Sequence, residues 1–312
     1  MTGSKQTLEN TDSALIEKSE SLKKRRNAVI LAHNYQIEET QDIADFVGDL
    51  LELIQKAKAT DADVIIFGGV LCMAETIAIA CPDKVVILPD MNAGCTLANM
   101  ITLERLQEKK QKYPGTKILC YLNTPAEVKA ECDICYAEDT ATSSVEKVPA
   151  NEEVMFVPDQ YFGDYVATQT GRDLILWPGY CSPLIRIRPE DISKQKAEHP
   201  QAKVIVHLQC IPQVKALADA VSGTGGIVRF ARETDAAEII VGAEIGLLYR
   251  LRKENPKKIF IPANERAICA TMKLITLEKI LWSLENMEPK VIITDEIRLK
   301  AKPAVDKMLE VE

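Results

Sequence analysis

Apolar residues gather in short, nearly unbroken runs at 28–33, 63–67 and 84–88, again at 117–121, 153–157 and 173–177, and a third time at 203–207, 238–241 and 258–261. Runs of this length, bounded by polar or turn-forming residues, predict strands buried on both faces. Between them the spacing turns helical. Over 40–54, Ile43, Phe46, Val47, Leu50, Leu51 and Ile54 form one stripe, predicting an amphipathic helix, with equivalents at 125–131 and 212–221. Further helices are predicted at 71–80, 161–170 and 244–254. Each set reads strand, helix, strand, helix, strand. Right-handed crossovers make that a parallel sheet covered on both faces.

The third run of every set is followed by a proline (Pro89, Pro178, Pro262) and then by a cysteine (Cys95, Cys181, Cys269), the cysteines being 86 and 88 residues apart. That period is longer than ordinary solenoid repeats, so three small domains are expected rather than a stacked array. The predicted fold class is α/β: three αβα three-layer domains with parallel sheets, in a pseudo-three-fold arrangement around a central cluster site. The domains are expected at 13–112, 113–198 and 199–289, with turns at 113–116 and 199–202 marking the joins. Over 290–312, Ile297, Ala301, Val305, Met308 and Leu309 recur at helical spacing and predict a tail helix packing back on the body.

Composition narrows the class. A hydrophobic fraction of 46% and a charged fraction of 27% over 312 residues are those of a globular protein. No apolar run reaches membrane-spanning length and residues 1–10 are polar without a signal-peptide core, which predicts a cytoplasmic protein with no membrane partner. A net charge of -8 argues against a nucleic-acid partner, and the basic run 250–258 reads as a solvated helix end. Nine cysteines without an export signal are core filler or ligands rather than a disulfide framework. Cys72, Cys81 and Cys120 lie in apolar surroundings and read as core; Cys132 and Cys135 form a lone CxxC, read as structural thiols.

The repeat also aligns polar side chains. His33, Tyr121 and His207 end the first strand of each set, and Tyr35, Asn123 and Gln209 stand two residues further on. Six polar groups at strand mouths are where ligands of parallel sheets bind. Three convergent thiolates suit zinc or an iron–sulfur cluster. A four-iron cluster on three cysteines leaves one iron open as a Lewis acid for dehydration or aldol-like chemistry. Gly223-Thr-Gly-Gly226 ahead of a helix-like run is a glycine turn or a phosphate cradle, and Thr142-Ser-Ser144 offers hydroxyls to a carboxylate or caps a helix.

Nearly the whole chain resembles the quinolinate synthases, through His-Asn-Tyr-Gln at 33–36, Gln-Asp-Ile-Ala-Asp at 41–45, Met-Ala-Glu-Thr at 73–76, Ala-Gly-Cys at 93–95, Tyr-Leu-Asn at 121–123, Pro-Asp-Gln at 158–160, Thr-Gly-Gly at 224–226 and Met-Lys-Leu-Ile-Thr at 272–276. The resemblance implies three αβα domains around a 4Fe-4S cluster with one open iron. It also implies condensation of iminoaspartate with dihydroxyacetone phosphate, loss of phosphate and water, and closure of the pyridine ring of quinolinate, an NAD precursor. By position, Cys95, Cys181 and Cys269 are the implied cluster ligands, and His33, Tyr35, Tyr121 and His207 the catalytic groups. Asn123, Ser143, Gln209 and Thr224 are the implied substrate contacts. The partners implied are small molecules bearing carboxylate and phosphate.

The chain departs from that pattern around the substrate. Gln209 replaces a glutamate able to exchange protons, Leu50 replaces a serine, and Gly223 stands where a serine opens the glycine turn. The 136–145 segment carries extra residues before Thr142-Ser-Ser144, and Ser182-Pro183 follows Cys181 where an apolar residue and a histidine are usual. Three readings follow: quinolinate synthesis, a paralogue using the same cluster chemistry on a different small carbonyl or amino-acid substrate, and a non-catalytic iron–sulfur or zinc protein.

Overall fold

A computed structural model describes residues 2–310, with α/β architecture and three four-stranded sheets, all parallel and each flanked by helices. The chain divides into two compact units, one running to Gly94 and including Ala270–Ile293, the other comprising Cys95–Cys269 and the chain from Thr294 onward.

The first unit holds β1 (Ala28–His33), β2 (Phe46–Gly48), β3 (Val64–Gly68) and β4 (Val85–Ile87) in the order β2-β1-β3-β4. The second holds two sheets of the same order: β5 (Lys117–Tyr121), β6 (Ile134–Tyr136), β7 (Val154–Val157) and β8 (Leu174–Leu176), then β9 (Lys203–His207), β10 (Ala220–Ser222), β11 (Glu238–Gly242) and β12 (Ile259–Pro262). Central strands are buried almost throughout, as their unbroken Val/Ile/Leu runs require.

The short strands β2, β6 and β10 are additions to the predicted pattern. Where the stripe over 40–54 predicted one helix, the chain forms a helix Glu38–Ile43, then β2, then a helix Leu50–Ala59. The cause is a pair of aspartates. Asp45 accepts the Ile30 amide at 2.8 Å, tying the segment to β1, and Asp49 opens the next helix in a capping box with Glu52, both bonds at 2.9 Å. The same clamp recurs at Asp133 on the Ile118 amide (2.9 Å) and Asp219 on the Val204 amide (2.8 Å). The helices predicted over 125–131 and 212–221 accordingly stop at Lys129 and Lys215, and β6 and β10 follow. Those at 71–80 and 161–170 form as Leu71–Ala80 and Gln160–Thr170, and that at 244–254 as Leu247–Glu254.

The tail forms a helix, Asp295–Leu309, capped by Thr294, that buries Ala301, Ala304, Val305 and Met308 against β6 and the helix Ala126–Lys129 of its own unit. No helix among the described residues is long and apolar enough to cross a membrane.

Candidate active site

Each sequence-predicted cysteine enters the same local structure. Cys95, Cys181 and Cys269 are followed by single 3-10 turns at Ala98–Met100, Leu184–Arg186 and Met272–Leu274, three residues on in every case. Cys181 starts its turn by accepting the Leu184 and Ile185 amides at 3.1 Å. All three residues are of intermediate exposure, and none is in a disulfide. Burial, with Cys95 and Cys269 close enough to act on it electrostatically, pushes the Cys181 thiol well above the usual range. The loop of Cys269 is braced by Glu244, a fully buried carboxylate that accepts the Cys269 amide at 2.9 Å and the Gly246 amide at 2.7 Å.

In the first unit, His33 and Tyr35 are buried at the mouth of β1, their rings edge-to-face with centroids 4.7 Å apart. The Tyr35 amide donates to His33 Nδ1 at 3.2 Å. In the second unit the Gln209 amide does the same to His207 Nδ1, again at 3.2 Å. With Nδ1 an acceptor, the His207 proton sits on Nε2. It points at Glu138, whose Oε1 lies 2.8 Å away.

Glu138 is the centre of the second unit's polar cluster. Tyr121 Oη donates to its Oε1 at 2.9 Å, and the Thr224 amide, the first of the helix Thr224–Glu233, donates to its Oε2 at 2.5 Å. Burial alone would raise this carboxyl; the His207 imidazole, the Thr224 amide and the Tyr121 hydroxyl outweigh it and hold the group at about 2. Tyr121 is aimed by an aromatic stack, its ring 5.7 Å from Tyr136, which in turn lies 4.3 Å from Phe156. The glycine turn at 223–226 is therefore a helix N-terminus holding an anion that the chain itself supplies.

Asp159 and Gln209 form a second pair. The Gln209 side chain is buried and its Nε2 donates to Asp159 Oδ2 at 2.7 Å, while Oδ1 caps the helix Gln160–Thr170 through the Tyr161 and Phe162 amides. Burial outweighs these bonds and pushes Asp159 up to about 6. Asp159 acts electrostatically on Cys181 and feels His207, which connects the thiols to the imidazole within this unit.

Among the remaining candidates, Asn123 presents a buried Oδ1 that accepts no hydrogen bond from the protein. Ser143 lies inside a helix, Ala141–Glu146, where its hydroxyl donates to the Thr140 carbonyl at 3.1 Å. Leu50 is buried at the start of its helix. Cys120 and Cys135 are fully buried with sulfurs 3.2 Å apart, and Cys132 donates to the Val128 carbonyl. Within the basic run 250–258, Arg250 pairs with Glu254, Arg252 donates to the Phe260 carbonyl and Lys258 to the Ala231 and Thr234 carbonyls.

Sequence reasoning missed Glu138, Asp159 and Glu244. Strand register holds the signal for all three. Gly48, Tyr136 and Ser222 pair with the ends of β1, β5 and β9, so Leu50, Glu138 and Thr224 are equivalent positions. Asp159 and Glu244 likewise stand two residues beyond the equivalent Val157 and Gly242.

Three α/β repeats, each placing one cysteine before a 3-10 turn, with imidazole, phenol and carboxylate groups at the strand mouths, define a thiol-bearing enzyme of parallel-sheet repeats. The chain belongs to the family described as quinolinate synthetase A protein, whose family model matches residues 17–310. It is 54% identical over 290 residues to the quinolinate synthase of Dehalococcoides mccartyi strain CBDB1, covering 93% of this chain and 96% of that one. The quinolinate synthase of Thermodesulfovibrio yellowstonii is 48% identical (94% and 97% covered), and that of Methanosarcina barkeri strain Fusaro 45% identical (96% and 98%). The kinship read from the sequence motifs is thus established.

Proposed function

We propose that this chain makes quinolinate for NAD synthesis, condensing iminoaspartate with dihydroxyacetone phosphate at a 4Fe-4S cluster held by Cys95, Cys181 and Cys269. The observation that carries this reading is the trio of repeat-equivalent thiols, two of which act electrostatically on the third. Three soft sulfur donors suit iron–sulfur chemistry. Among the described residues no group of three His, Cys, Asp or Glu side chains is drawn together around a single ion. When bound, the cluster supplies one iron uncovered by cysteine, a Lewis acid.

The remaining work falls to side chains. Asn123 Oδ1 accepts an N–H or O–H from a bound substrate and orients it. Tyr121 and His207 hold protons at Oη and Nε2, both directed at Glu138 Oε1, and each has to turn from that carboxylate before it can protonate a departing hydroxyl or a carbonyl oxygen. His33 and Tyr35 form the corresponding pair of the first unit. A cytoplasmic setting belongs to the same reading. Anaerobically purified, iron-loaded protein should form quinolinate from the two substrates and restore growth of a strain lacking the enzyme. Brown protein that forms none would overturn this reading.

A second reading is favoured by Glu138: the same cluster serving a different small carbonyl or amino-acid substrate. A carboxylate built into the chain occupies donors that a substrate carboxylate would otherwise use.

A further inference from the structure

The donors around Glu138 are of a kind that binds carboxylates: a phenol hydroxyl, an imidazole N–H and the first amide of a ten-residue helix, converging on two oxygens. An independent feature of the backbone accommodates the glutamate. A Cβ added at Gly223 would fall inside van der Waals contact of the Glu138 Cβ and Oε2, so only glycine fits there while the glutamate is in place. Its neighbour Asp139 makes an exposed pair with Arg229 of that helix at 2.9 Å.

We propose that Tyr121, His207 and the Thr224 amide form a carboxylate subsite that the chain fills with its own Glu138, with Gly223 providing the room. The molecule processed here therefore brings a neutral or cationic group, rather than an anion, to this corner. This deepens the second reading above and names its substrate class: small carbonyl or amino compounds carrying one anionic group fewer.

The test is direct binding of acetate by the full chain, followed through the imidazole resonances of its three histidines. Acetate should leave the wild type unchanged and bind Glu138→Ala saturably, at least about tenfold more tightly, moving the His207 signals. Adding Tyr121→Phe to Glu138→Ala should weaken that binding again. Equal binding by wild type and Glu138→Ala, or none by a folded Glu138→Ala, overturns the proposal. A second measurement covers a variant that folds poorly. Gly223→Ser should lower the melting temperature and Gly223→Ser with Glu138→Ser should restore it; a double variant no more stable than Gly223→Ser alone also overturns the proposal. Binding is read without turnover, so failure to form quinolinate leaves this result standing, and failure to bind acetate leaves the quinolinate reading untouched.

Discussion

His207 Nε2 stands 2.8 Å from Glu138 Oε1, a contact between residues 69 apart in the chain that joins the mouth of β9 to the segment following β6. Because His207 Nδ1 already accepts an amide, the imidazole has one orientation and one proton position. The Gln209 amide fixes them, and the carboxylate accepts the Nε2–H.

Glu138 should make the protein acid-sensitive. Its carboxyl lies at about 2 in the fold against an ordinary value of 4.5, so its contribution is complete above about pH 4.5 and is lost as pH falls toward 2. The shift corresponds to about 3 kcal/mol. Urea unfolding of wild type and Glu138→Gln between pH 6 and pH 3 (roughly the window set by those two values) should show the wild type losing more stability than the variant. Parallel curves would show that Glu138 is not held ionised by its partners.

Gln209→Glu should fail to behave as a simple restoration of an acid. The side chain faces Asp159 Oδ2 at 2.7 Å, and Asp159 already sits at about 6. Two carboxyls at that distance share a proton, so folding would demand protonation of one of them. The variant should lose stability relative to wild type as pH rises from about 5 to 8, by about 1–3 kcal/mol, read as melting temperature against pH. A pH-independent difference would mean the two side chains separate.

Glu244 should matter to the thiol site although it touches Cys269 only at the backbone amide. Replacing it by Ala leaves the part-buried Cys269 and Gly246 amides without their side-chain acceptor, at a cost of about 1–2 kcal/mol in all. Iron retained after anaerobic reconstitution should fall in Glu244→Ala, while Glu244→Gln, which keeps one acceptor, falls less. Equal iron in all three proteins would assign Glu244 to stability alone.

Cys95→Ala, Cys181→Ala and Cys269→Ala should each abolish the brown colour of anaerobic protein, whereas Cys120→Ala should keep it, since Cys120 is buried beside Cys135. Iron and sulfide analysis checks this. Full iron content in any of the first three removes that cysteine from the ligand set.

Asp219→Ala should detach β10 from β9. The lost bond to the Val204 amide and the Lys203 pair at 3.0 Å together correspond to about 1–2 kcal/mol of unfolding free energy. Hydrogen exchange at Val204 should accelerate first.

The sequence made the long strands legible because apolar runs such as 28–33 and 203–207 have no other way to be buried. The cysteine positions were legible because the repeat preserves them. The three-residue strands were not, since Phe46–Gly48 and its equivalents are placed by aspartate side chains rather than by an apolar pattern, and the apolar residues flanking Asp45 and Asp49 imitate a helix stripe. Glu138 was hidden for the same reason: without β6 its equivalence to Thr224 cannot be seen, and Thr142-Ser-Ser144 drew attention to a helix whose Ser143 hydroxyl bonds its own backbone.

The order shared by the three sheets keeps the longer strands inside and leaves strands of three or four residues on the margins. Unpaired amides and carbonyls along a sheet's rim are what let chains zip together into aggregates. Margins this brief give an incoming strand too little to grip, so crowding during synthesis should threaten this protein less than its extensive buried β structure would suggest.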